Sequence, residues 1–114
     1  MVAETMIVSG LSGRYAVALF ELAKDGGNLD SVAADLQDLK SLMAESADLV
    51  RLIRSPVLTR EDQARAMDAV MDKAGFGDVT RKFVGLVSTN RRLFSLGDMI
   101  DAFAGSAIEK MIEE

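Results

Sequence analysis

Ser12-Gly13-Arg14-Tyr15-Ala16-Val17-Ala18-Leu19-Phe20-Glu21-Leu22-Ala23 decides the fold class. Its apolar residues recur three and four positions apart, as a helix buried on one side requires, rather than alternating as in a half-buried strand. On a wheel of roughly 100° per residue, Ala18, Leu22, Tyr15, Leu19, Ala23, Ala16 and Phe20 cover roughly 200°, leaving Arg14, Val17, Glu21 and Lys24 for the rest. Ser12 is placed to cap this helix, and Gly26-Gly27 ends it, because glycine takes the left-handed conformation past a helix end without a Cβ penalty. Residues 1–11 read as a flexible N-terminal segment, and Met1 to Gly10 has neither the basic start nor the apolar stretch of a secretory leader.

The same period continues down the chain. Asn28 is placed to cap a second helix carrying Leu29, Val32, Ala33, Leu36, Leu39 and Met43 on one face, with Asp30, Asp35, Asp38 and Lys40 elsewhere. Ser46 opens a short third helix ending near Ile53, where Ser55-Pro56 stops it. Thr59 with Asp62 resembles a capping box before the stripe Met67, Val70, Met71 and Ala74, and Gly75 and Gly77 close that fourth helix. Asp78 is read as the cap of a fifth helix reaching about Asn90. Ser95 with Asp98 is read as the cap of a sixth, whose stripe is Leu96, Met99, Ile100, Phe103, Ala107 and Met111. With no strand pattern and no internal repeat, the sequence predicts one all-α domain over residues 12–112, a six-helix bundle.

The fifth helix shares the breadth of the first: Leu86, Val79, Phe83, Val87 and Val84 cover roughly 160°, flanked by Lys82 and Thr89. Two explanations stand. Central helices of a bundle are apolar over wide arcs because they are buried on several sides. Alternatively, two adjacent helices with apolar surface to spare form a trough that an amphipathic helix from a partner fills.

Composition narrows the chemistry. The 114 residues are 49% hydrophobic and 27% charged with a single Pro, which suits one folded domain with a real core. Neither Cys nor His is present, so disulfides, the usual zinc and transition-metal sets, and imidazole-based acid, base or nucleophile activation are all excluded. A formal net charge of −5 opposes binding to phosphate backbones or anionic membrane surfaces. The apolar runs are far shorter than the roughly 18 residues needed to span a bilayer.

Local motifs add no catalytic site. Gly10-Leu11-Ser12-Gly13 lacks the strand, the spacing and the His of a nucleophile elbow. Gly75-Phe76-Gly77 lacks the third Gly of a dinucleotide fingerprint and follows a helix. Asp30, Asp35 and Asp38, and the terminal Glu109, Glu113 and Glu114, have no calcium-loop spacing, so no metal is assigned. The basic concentration at Arg81, Lys82, Arg91 and Arg92 suits a helix C-terminus for its last two members, while Lys82 lies beside the apolar arc.

The opening stretch resembles the first helix of the ATP synthase delta family, whose pattern is Arg-Tyr-Ala-x-Ala-Leu-Phe-x-Leu-Ala. Leu49-Val50-Arg51-Leu52-Ile53-Arg54-Ser55-Pro56-Val57 is similar to that family's segment ending in Ser-Pro, and Asn90-Arg91-Arg92-Leu93-Phe94 to its Asn-x-Arg-Leu signature. In order, these matches carry the resemblance over roughly residues 10 to 105.

The resemblance implies a non-catalytic peripheral-stalk component of an F-type ATP synthase, without cofactor. It would sit on the catalytic head, peripheral to the cytoplasmic face of a bacterial inner membrane. It further implies a C-terminal part that engages the b-subunit stalk. That part is absent here, and the tail after Phe103 lacks the family's Glu-His-Arg-Gly-like stretch. In the family the N-terminal helix of an alpha subunit lies against helices one and five; matching positions nominates Tyr15, Ala18 and Leu22 with Lys82, Leu86 and Thr89. The rival readings are a helical-bundle RNA-binding transcription antitermination factor, opposed by the acidity, and a small helical enzyme, for which no residue set speaks.

Overall fold

The computed structural model describes the backbone of residues 2–113 and the side chains of residues 10–105. Six helices follow one another: α1 Val2–Asp25, α2 Leu29–Glu45, α3 Ala47–Arg54, α4 Arg60–Ala74, α5 Asp78–Thr89 and α6 Leu96–Glu113, with a 3₁₀ turn at Leu93–Ser95 before the last. Among the described residues there is no strand, and the fold class is the all-α bundle that the periodicity implied. Ala107 and Met111 of the expected α6 stripe, and the glutamates at 109, 113 and 114, lie outside the described side chains.

The ends of the elements follow local chemistry in most places. Ser46 accepts a hydrogen bond from the Leu49 amide at 3.1 Å, and the Thr59 hydroxyl accepts from the Asp62 amide at 3.0 Å, so both predicted caps form. α1 closes with Gly27 at φ 72°, and α4 with Gly75 at φ 75°. Each close joins two backbone bonds, Gly27 N to Lys24 O with Asn28 N to Ala23 O, and Gly75 N to Asp72 O with Phe76 N to Met71 O. These pairs satisfy carbonyls that the last helical turn leaves open. α5 ends with the same pair, Arg91 N to Ser88 O and Arg92 N to Val87 O, yet the left-handed residue is Arg91 at φ 58°.

Three expected starts are corrected. Helical backbone begins at Val2, breaks at Gly10 (φ −24°, ψ −114°) and resumes, so Ser12 lies buried inside α1 rather than capping it. Asn28 holds the cap position of α2, but its side chain makes no capping bond. The cap of α5 is Gly77, with Asp78 inside the first turn. The side chain serving that turn comes from α2: Asp35 Oδ2 accepts from the Gly77 amide at 3.0 Å and from Thr80 Oγ1 at 2.8 Å. A carboxylate at a helix N-terminus is favoured by the dipole whichever helix supplies it.

The core draws on every helix. Ala16, Leu19, Phe20 and Ala23 of α1 face Met99, Ile100 and Phe103 of α6, and the Phe20 and Phe103 rings meet tilted, 5.8 Å apart. Tilted rings at this separation gain edge-to-face attraction beyond their buried area. Val32, Leu36 and Leu39 of α2, Leu49 and Ile53 of α3, Met67 and Met71 of α4, and Phe83, Val84 and Val87 of α5 join it, with Phe76, Leu93 and Leu96 from the helix ends and turns. α1 packs chiefly on α6 and α5 chiefly on α4, so the two helices with wide apolar arcs are each held from behind.

Candidate partner-docking site

Because each wide arc spends only part of its width on the core, the remainder faces outward. On α1 the buried part is Ala16, Leu19, Phe20 and Ala23, leaving Ala18 exposed and Leu22 61% exposed. On α5 Phe83, Val84 and Val87 are buried, Val79 is half-buried, and Leu86 is 53% exposed. Between them lies a trough of about 370 Å³. Tyr15, Ala18, Leu19 and Leu22 form one wall, Val79, Lys82, Phe83 and Leu86 the other. Leu19 and Phe83 make the buried floor, and Leu22 and Leu86 the exposed lips.

The ends are built differently. One is the turn after α1, where Gly26 and Asn28 line the trough. A Cβ at Gly26 would come within 2.9 Å of Asn28 Nδ2, so glycine there keeps this corner clear. Towards the other, Asn90 Nδ2 donates a hydrogen bond to Tyr15 Oη at 3.0 Å and ties the end of α5 to α1.

Of the six residues nominated from sequence, the trough brings together Tyr15, Ala18, Leu22, Lys82 and Leu86. Thr89 is exposed and lies outside the lining; its carbonyl accepts from Arg60 Nη1 at 3.2 Å. The wheel already held Val79 and Phe83. The corner at Gly26 and Asn28 was missed, because Gly26-Gly27 read only as a stop signal.

Electrostatics isolate Lys82. Arg81, its neighbour in the basic concentration, turns to α4 and pairs with Asp68 at 2.8 Å and Asp72 at 3.3 Å. The hydrogen bond to Asp68, and then its charge, hold the Arg81 guanidinium above its already high pKa. Lys82 stays exposed at the trough's rim, where its stem extends the apolar wall and its ammonium stands ready for a carboxylate. Among the described residues no group of carboxylates is arranged to hold a metal ion, and no helix is long and apolar enough to cross a membrane.

The apolar trough between two helices of this all-α bundle has a shape and lining that an amphipathic helix could fill. The sequence profile of the ATP synthase delta (OSCP) subunit matches residues 11–113, and the chain belongs to that family. It is 57% identical over 104 residues to the ATP synthase subunit delta of Azorhizobium caulinodans, covering 91% of this chain and 56% of that protein. It is 54% identical over 114 residues to the subunit delta of Rhodospirillum centenum, covering 100% of this chain and 61% of that one. With the subunit delta of Parvibaculum lavamentivorans the identity is 55% over 96 residues, 84% of this chain and 50% of that protein. The chain therefore spans between half and about three fifths of the length of these relatives.

Proposed function

We propose that this chain acts, without catalytic chemistry of its own, as part of the peripheral stalk of an F-type ATP synthase. In this reading it holds the N-terminal helix of an alpha subunit in the α1–α5 trough, on top of the catalytic head. Family membership supports the stalk role. The docking role rests on one observation above all: Leu22 and Leu86 stand 61% and 53% exposed on opposite lips of an apolar trough. Exposed leucines singly are unremarkable, but two flanking a concave apolar floor form the surface that an amphipathic helix covers. Lys82 on the rim would then meet an acidic residue of that helix.

In the assembly the protein would stand at the cytoplasmic face of a bacterial inner membrane, held there through the complex. Contact with the b-subunit stalk would fall to a further part, such as the additional length in its relatives. The mechanical consequence is resistance to torque: a head tied to a fixed stalk does not turn with the rotor. Titrating the protein with a synthetic peptide of the alpha subunit's N-terminus tests the reading. Saturable binding that a scrambled peptide of equal composition fails to reproduce supports it; equal binding of the two overturns it.

A further inference from the structure

Two stretches of the segments that marked the family, Ser55-Pro56-Val57 and Arg91-Arg92-Leu93-Phe94, line no part of the trough, and of their neighbours only Asn90 reaches it, through Tyr15. They converge on each other instead, around a cleft of about 180 Å³ that shares no lining residue with the trough. We propose that this cleft is a second docking surface, whose occupant is an acidic protein segment carrying one bulky apolar side chain.

The apolar half of this surface is exposed. Of the cleft's lining, Phe94 is 60% exposed and Leu58 37%, both on short connections between helices, and Val57 next to Leu58 in the chain is 86% exposed. The loop that presents Val57 and Leu58 is held in place: Ser55 Oγ accepts from the Val57 amide at 3.3 Å and the Leu58 amide at 3.4 Å. Behind it, Gln63 Nε2 donates to the Leu52 carbonyl at 3.0 Å and fastens α4 to the end of α3. An apolar surface on a braced loop loses little entropy on binding.

The polar half is charge. In a chain of net charge −5, the cleft is lined by Arg54 and Arg91 and by no carboxylate. Among the described residues neither arginine is ion-paired, whereas Arg51, Arg65 and Arg81 each are. Arg91 also occupies the left-handed position that the equivalent helix ends give to Gly27 and Gly75. A side chain kept where glycine is preferred points to a use for that side chain. Two guanidinium groups beside Phe94 select carboxylates flanking an apolar anchor.

The test is amide chemical-shift mapping of the folded protein with an end-blocked peptide of sequence Asp-Glu-Leu-Phe-Asp-Glu. Saturable shifts confined to residues 54–58 and 91–94 are expected. Replacing its acids by lysines, or its Leu-Phe by Ala-Ala, should weaken binding by at least about tenfold. Phe94→Ser and Arg91→Gly should each do the same with the circular dichroism spectrum unchanged, while Leu86→Asp leaves this binding intact and so separates it from the trough. No saturable shift at millimolar peptide overturns the proposal, as does equal binding of the lysine peptide. Stronger shifts of these residues by an RNA oligonucleotide would assign the cleft to another partner, and a concentration-dependent dimer abolished by Phe94→Ser would assign it to a second copy; either overturns it too.

Discussion

Asn90 Nδ2 donates to Tyr15 Oη at 3.0 Å across 75 residues of sequence, joining the residue that caps α5 to the wall of α1. α1 and α5 make few other close approaches, being backed by α6 and α4. The trough therefore keeps its width partly through this one bond. Tyr15→Phe should lower stability by about 0.5 to 1.5 kcal/mol, the usual net worth of a hydrogen bond, and denaturant unfolding measures it.

Asp35 on α2 serves the start of α5 through the Gly77 amide and the Thr80 hydroxyl. Thr80 is fully buried, so removing the acceptor strands its hydroxyl, while the exposed Gly77 amide can turn to water. Asp35→Ala should cost about 1 to 3 kcal/mol in the same assay, more than deletion of an exposed acid such as Asp38, which should fall within about 0.5 kcal/mol.

Ser88 is the opposite case. Among the described residues its hydroxyl is the one buried side-chain polar atom without a hydrogen-bond partner. Ser88→Ala removes an unsatisfied group and improves helix propensity, so it should be neutral or stabilising by up to about 1 kcal/mol. A thermal midpoint clearly lower than wild type would mean that the hydroxyl has a partner after all.

Arg91 carries the left-handed backbone at the end of α5. Arg91→Gly should raise stability by about 1 kcal/mol, because a residue with a Cβ is strained there and glycine is not. A fall in the unfolding midpoint would show that the Arg91 side chain contributes more to the fold than its backbone costs.

The pattern of success in reading the sequence has physical causes. Caps made by a residue's own neighbours, at Ser46 and Thr59, were legible because donor and acceptor lie within three positions. The cap of α5 was not, since its acceptor, Asp35, is 42 residues away from Gly77 and looks in sequence like one more acid on a solvated face. Ser12 misled because a serine before an apolar run looks like a cap even when helical backbone already precedes it. For the site, the wheel gave the width of each apolar arc. It could not divide that width between core and trough, which depends on α6 lying behind α1 and α4 behind α5. Thr89 shows the limit: it flanks the arc on the wheel, yet falls outside the trough's lining.

The central claim is that the trough is where the alpha subunit's N-terminal helix docks, and calorimetric titration of that peptide into wild type, Leu86→Asp and Lys82→Ala tests it most directly. Leu86 is 53% exposed in the free protein, so an aspartate there can stay hydrated until a docked helix covers it. Leu86→Asp should keep its helical circular dichroism and lose affinity by at least about tenfold, as a desolvated and unpaired charge dictates. Lys82→Ala should lose only about 0.2 to 1 kcal/mol, because a rim ion pair is screened by water and salt. Undiminished affinity in a folded Leu86→Asp variant would contradict the account.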